Sequence, residues 1–239
     1  MHLLRLCLIF SALIYTSCTT SITGAVQRDG SAEISLDCDL GTKITGLLKS
    51  FSANSNGQAG KLAKNVPIID AALLNGSLKK ANGIIAVNLR NRGENGIYGG
   101  ISISKVGELL KSGGGYNFVT FTPGTDGGGK IVINISLNNS SQILLAVSED
   151  FHDYLSALMA PCATGENLTK TEYLKAVADV YGKDIAAEIN TAHFKANITF
   201  PKDLKTIKGG TKNGKTASFD IALIDILVLD NSLVYEMQW

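Results

Sequence analysis

The sequence predicts an α+β fold: an antiparallel, curved β-sheet with two long helices packed on one face. Three observations carry this. Short runs of alternating apolar and polar residues occupy the chain before residue 141 and return after residue 193. Between them, residues 141–159 and 169–189 place apolar side chains at steps of three and four, the stripe of an amphipathic helix. The helices are grouped and do not alternate with strands, which favours an antiparallel sheet over a parallel one.

The elements follow in order. Ala25 to Arg28 leads into Asp29-Gly30, a hairpin turn signal, and Ser31 to Leu36 then alternates with Ala32, Ile34 and Leu36 on one face. Residues 43–51 read as a short helix carrying Ile44, Leu47, Leu48 and Phe51, and Ser52 to Gly60 as a loop. Pro67 marks a helix start and Asn75-Gly76 its end. Residues 84–90 and 97–104 are strands, the second with a bulge at Gly99-Gly100, and Val106 to Lys111 makes a turn or two of helix. Tyr116 to Thr122 and Lys130 to Leu137 are β-branched or aromatic with period two, so a meander of strands is expected.

The first long helix carries Ile143, Leu144, Val147, Phe151, Tyr154, Leu155 and Leu158, and Pro161 ends it. Asn167 or Thr169 caps the second; Thr169 with Glu172 fits a capping box, and the apolar stripe runs from Tyr173 to Ile189. His193 to Phe200, Leu204 to Lys208, Lys215 to Leu223 and Leu233 to Trp239 return to strands. Residues 25–239 form one α+β domain on this reading.

Composition narrows the function. Of 239 residues 45% are hydrophobic and 18% charged, ordinary globular values. There are 22 basic and 21 acidic residues, so no net field draws the chain onto nucleic acid.

The N-terminus is the most informative stretch. One basic residue, Arg5, precedes an apolar run from Leu6 to Tyr15, then Thr16-Ser17-Cys18. The run has the length of a secretory h-region and is too short to span a bilayer as a helix. Residues 1–17 are therefore read as a signal peptide. The arrangement resembles the lipobox of bacterial lipoproteins, in the relaxed form found in spirochaetes, since Tyr15 stands where the usual pattern has Leu. The resemblance implies cleavage before Cys18, a diacylglyceryl group on its sulfur and an extracytoplasmic place in the envelope. Two or three acyl chains would hold the protein durably where one would not. Residues 18–24 would then be the lipidated Cys and a short polar tether. The alternative is simple secretion with a cut after Ala25.

Cys7 leaves with the signal peptide, and Cys38 and Cys162 remain. An exported compartment permits a disulfide between them; two separate buried thiols are the alternative.

Several motifs invite a chemical reading. Gly209-Gly210-Thr211-Lys212-Asn213-Gly214-Lys215-Thr216 matches the P-loop pattern, and Ile226 to Asp230 mimics the apolar run and Asp that hold Mg²⁺. A P-loop needs a helix to start at Lys-Thr, yet Ala217, Phe219, Ile221 and Leu223 alternate at strand period, and Asn213-Gly214 is a hairpin turn. No nucleotide is expected. Gly124 to Lys130 lacks the Ser or Thr and is again a hairpin loop. His152 stands among Glu149, Asp150 and Asp153, but His193 is the next histidine, so no metal set forms. The Asn-x-Ser/Thr triplets are turn and cap residues.

The closing Tyr235-Glu236-Met237-Gln238-Trp239 resembles the tail of mycobacterial lipoproteins that end on a strand pair and Tyr-x-x-x-Trp. Exported lipoproteins of this build resemble carriers with an apolar cavity between helices and sheet; helices that fill the core completely are the alternative.

The expectation is a non-enzymatic binding or scaffolding module, held to a membrane through lipid on Cys18, with a lipid, a glycan or an envelope protein as ligand. It uses no cofactor, metal, nucleotide or nucleic acid. The alternatives are a carrier of a lipid or small apolar ligand, and an envelope hydrolase using His152 or His193.

Overall fold

A computed structural model of the protein describes residues 19–55, 67–112, 118–140 and 154–239. The fold is α+β, with strands in two mostly antiparallel sheets. The signal peptide, Cys18 and His152 lie outside the described residues.

The larger sheet has seven strands in the order β3-β4-β2-β1-β7-β10-β9. They are β1 (Thr19–Val26), β2 (Ala32–Asp39), β3 (Ile84–Arg92), β4 (Gly96–Ile103), β7 (His193–Thr199), β9 (Thr211–Asn213) and β10 (Thr216–Ala222). The smaller sheet runs β5-β6-β11-β8, from β5 (Val119–Pro123), β6 (Gly129–Ile135), β8 (Thr206–Lys208) and β11 (Leu233–Gln238). All pairings are antiparallel except β1 with β7, where Thr19 lies opposite His193 and Ala25 opposite Thr199. That parallel pair joins the two ends of the chain into one sheet.

The expected tether is corrected. Thr19 to Gly24 belongs to β1, which pairs along its whole length with β2. Its alternation explains why: Ile22, Gly24 and Val26 face inward while Ser21 and Thr23 stay exposed, so the segment has an apolar face to bury. The β1–β2 loop keeps Gly30 at φ 84°, and a bond from Gly30 N–H to the Gln27 carbonyl closes the turn.

Seven α-helices lie wholly within the described residues: α1 (Thr42–Ser55), α2 (Ala71–Leu78), α3 (Val106–Ser112), α4 (Pro161–Thr164), α5 (Lys170–Tyr181), α6 (Lys183–Thr191) and α7 (Leu223–Val228). α1 runs through part of the expected loop. α2 starts at an Asp70 cap and not at Pro67, and it continues past Asn75-Gly76. Asn75 tolerates that place because its side chain bonds both backbone groups of Leu89 at 2.9 Å.

Of the first long helix, residues 154–157 are described and helical, with Leu155 and Leu158 buried. Pro161 does not merely end it; it opens α4 as the first helical residue. The second long helix is two helices. The Thr169/Glu172 capping box starts α5, and Gly182 breaks the chain at φ 97°, ψ 156° before α6. No bulge sits at Gly99-Gly100, where the register is continuous; the irregularity lies between Ile84 and Ala86. Gly99 instead has φ 144°, and a Cβ there would overlap the Asn88 carbonyl.

Among the described residues the buried apolar side chains gather in three clusters. One lies among the helices around Tyr173, Val177, Ile189 and Val228. One lies between the two sheets around Phe200, Phe219, Met237 and Trp239. The third lies under α2, around Val87, Leu89 and Ile97. The Trp239 ring lies tilted against Phe200, with centroids 4.3 Å apart, and its Nε1 donates to the Gly127 carbonyl at 3.0 Å.

Candidate ligand-binding face

Strand alternation gives the seven-stranded sheet one apolar and one polar face. Val87, Ile97, Cys38, Ala196 and Ala217 point inward and are buried. The residues between them point outward. Reading across the middle of the sheet, the register aligns Asn88, Gly100, Ser35, Thr23, Asn197, Ser218 and Thr211. This row carries amides and hydroxyls on every strand but β4, where Gly100 stands.

At the β9 edge this face dips into an open groove of about 520 Å³, lined by Lys195, Asn197, Ser218, Asp220 and Gly209 to Thr211. Ser218 Oγ donates to Asn197 Oδ1 at 2.7 Å. His193 Nδ1 meets Asp220 Oδ1 at 2.6 Å, and Lys195 Nζ lies 3.8 Å from the other oxygen of that carboxylate. The groove thus offers hydrogen-bond donors and acceptors on a rigid strand pair. Among the described residues no hydroxyl or thiol nucleophile is hydrogen-bonded to the His193 ring.

The P-loop-like segment forms a wall of this groove, and its glycines have a packing reason. Here the chain crosses from β8 in one sheet to β9 in the other. A Cβ on Gly209 would meet the Val234 carbonyl and the Tyr235 ring, and one on Gly210 the Phe219 ring and the Ser218 carbonyl. A strand, not a helix, follows Lys215-Thr216, so no helix N-terminus faces a phosphate. The hairpin is there, one residue later than expected: Asn213 pairs with Thr216, and Gly214 at φ 54° leads the two-residue loop. The Ile226 to Asp230 run is the end of α7, closed by Leu229 at φ 53°.

At the other end of the face, Arg92 makes a bidentate pair with Asp37 at 2.8 and 3.0 Å and lies 5.0 Å over the Tyr98 ring. The Asp37 carboxylate raises the guanidinium pKa above its ordinary value.

The two remaining cysteines are free thiols. Cys38 lies in the cluster under α2 and Cys162 in the helical cluster, so the disulfide alternative gives way to two separate buried thiols. Burial pushes Cys162 up to about 11 and also raises Cys38, against the Thr20 hydroxyl that bonds its sulfur. Among the described residues no three His, Cys, Asp or Glu side chains gather to hold a metal, and no helix is long and apolar enough to cross a membrane.

No protein-family model and no curated protein matches the chain. Among solved structures it is similar to the folded domain of the LppM protein of Mycobacterium tuberculosis, determined by NMR. Identity is 8%, the TM-score 0.40, and the match covers 95% of this chain and 92% of that one. Likeness at that level transfers neither residue roles nor activity.

Proposed function

We propose that this protein is a lipid-anchored component of a bacterial envelope that acts by binding, not by catalysis, and that its ligand meets the open polar face of the seven-stranded sheet. One observation carries the reading: among the described residues the outward row across the seven adjacent strands is polar on every strand but β4, and its residues are exposed or half-buried. The lipobox-like N-terminus supports the anchor. Because β1 starts at Thr19, a lipid on Cys18 would leave no spacer, and the domain would be held close to the bilayer instead of swinging on a tether.

The anchor is tested by expressing the full chain and its Cys18→Ser variant in a bacterium that processes lipoproteins. The parent is expected in the membrane fraction and in the detergent phase on cloud-point partition, with a diacylglyceryl mass on Cys18. The variant is expected to lose all three. A parent that stays in the aqueous phase would refute the anchor.

A carrier reading draws on a different observation. Ile22, Ile34, Leu36, Ile101 and Ile198 sit on the inner face of central strands yet are only half-buried. Native mass spectrometry of protein from its own host tests it: a lipid adduct that dissociates on denaturation supports the carrier, and a clean apo mass opposes it.

A further inference from the structure

The outer face of β3, β4 and β2 holds polar groups that the fold does not use. The register puts Arg90, Tyr98 and Asp37 in one row and Asn88, Gly100 and Ser35 in the next. Asp37 is committed to Arg92. Arg90, Asn88 and Ser35 are exposed and make no side-chain hydrogen bond or ion pair among the described residues. Their neighbours behave differently: Asn75, Asn91 and Asn95 all bond backbone groups, and Ser102 donates to Glu33 at 2.8 Å.

Tyr98 is 37% exposed. Arg92, opposite Gly96, lies over the Tyr98 ring, and the next outward position along β4 is Gly100, which has no side chain. A Cβ at Gly100 would come no nearer than 3.7 Å to any atom, the Ile34 carbonyl oxygen. Packing therefore does not demand glycine there. Its effect is a hollow in the sheet beside an aromatic ring. Three strands and two rows span roughly 10 by 7 Å, the footprint of one pyranose ring.

We propose that this hollow is a subsite for an acidic sugar, a pyranose bearing a carboxylate. The apolar ring face of the sugar lies against Tyr98. The carboxylate takes the unpaired Arg90 guanidinium, whose planar fork matches it. Asn88 and Ser35 bond ring hydroxyls. Arg90 supplies the charge complementarity, and within these two rows Tyr98 is the one apolar side chain beside charged and polar groups, a lining suited to a charged sugar and not to a lipid surface. This inference rests on the binding-module reading and adds its ligand class.

The test uses the full chain in detergent micelles, titrated with tetragalacturonate and with its methyl ester, which keeps the sugar and removes the charge. The acid is expected to bind at least tenfold more tightly than the ester. Arg90→Gln should erase that preference, Gly100→Val should abolish binding by filling the hollow, and Lys175→Gln on the exposed side of α5 should change nothing. Thermal melts by circular dichroism confirm that each variant is folded. Equal affinity for acid and ester, or binding unaffected by Gly100→Val, overturns the subsite while leaving the polar face as a binding surface. Competition by acetate at equal carboxylate concentration reduces the site to a simple anion contact and also overturns it. Failure of the binding-module reading shows separately, as no ligand contact anywhere on the sheet face of the anchored protein.

Discussion

Glu188 on α6 caps α1, a helix 144 residues earlier in the chain, and removing it should uncouple two elements of the helical core. Its Oε1 accepts from Ile44 N–H at 2.9 Å and its Oε2 from Lys43 N–H at 3.3 Å. These are unsatisfied donors of the first turn, at the positive end of the helix dipole. A lost cap costs about 1 kcal/mol and the dipole term about 0.5 kcal/mol more, so Glu188→Ala should destabilise by about 1.5 kcal/mol. With a urea m-value of about 2 kcal/mol/M, the unfolding midpoint falls by about 0.7 M. Glu188→Gln keeps an acceptor and should lose only about a third of that. Gly41 supplies a stronger check, because a Cβ there would overlap the Glu188 carboxylate. Gly41→Ala should evict the cap, so the double variant should be little worse than either single one, a coupling of about 1 kcal/mol. Strictly additive urea midpoints for the two substitutions would refute the reasoning.

Other consequences follow from the same packing. Gly99→Ala forces a side chain into the Asn88 carbonyl at a φ that L-residues rarely adopt, and should cost on the order of 3 kcal/mol or prevent folding, read by thermal melt. Trp239→Ala empties the cluster between the sheets and frees the Gly127 carbonyl; a loss of about 4 kcal/mol is expected in urea, with Trp239→Phe recovering much of it. Cys38 and Cys162 should resist a thiol reagent at pH 8 in the folded state, and both should react on unfolding, whereas a disulfide would leave neither reactive. Stability should fall at alkaline pH. Burial raises Cys162 to about 11 and raises Tyr173, Tyr181 and Tyr235, so the folded state favours their protonated forms. That contribution is complete below the unfolded thiol value near 9 and is lost as pH climbs through 11. In a Tyr98→Phe background, the tyrosinate absorbance of Tyr173, Tyr181 and Tyr235 should therefore appear together with unfolding; full tyrosine ionisation well before unfolding would count against the burial described.

Much of this fold was legible because one sheet face is buried. Alternation located β7, β10 and β11 to within a residue and the start of β2, since a one-residue slip would turn Ala217 and Phe219 to solvent. The Thr169/Glu172 box placed α5 for a similar reason, a local signal that needs no partner. What failed were features set by distant contacts. Thr19 to Gly24 looked like a polar tether because its alternation is short and carried by Ile22, Gly24 and Val26; only pairing with β2 and β7 makes it a central strand. The division into two sheets depends on the Gly209-Gly210 crossing, which in sequence imitated a phosphate loop. Gly182 sat inside a helical stripe, and the positive-φ break it makes between α5 and α6 went unread. The candidate face was implied by outward polar residues on each strand, but the empty place at Gly100 appears only when Asn88 and Ser35 are set on either side.

Hydroxyl-radical footprinting of the anchored full chain, with and without glycan purified from its own envelope, tests the central claim most directly. The account predicts protection at Tyr98 and along the outer sheet face, with Ile34 and Leu36 unchanged. Protection confined to Ile34 and Leu36 on the inner face, or none at all, would contradict it.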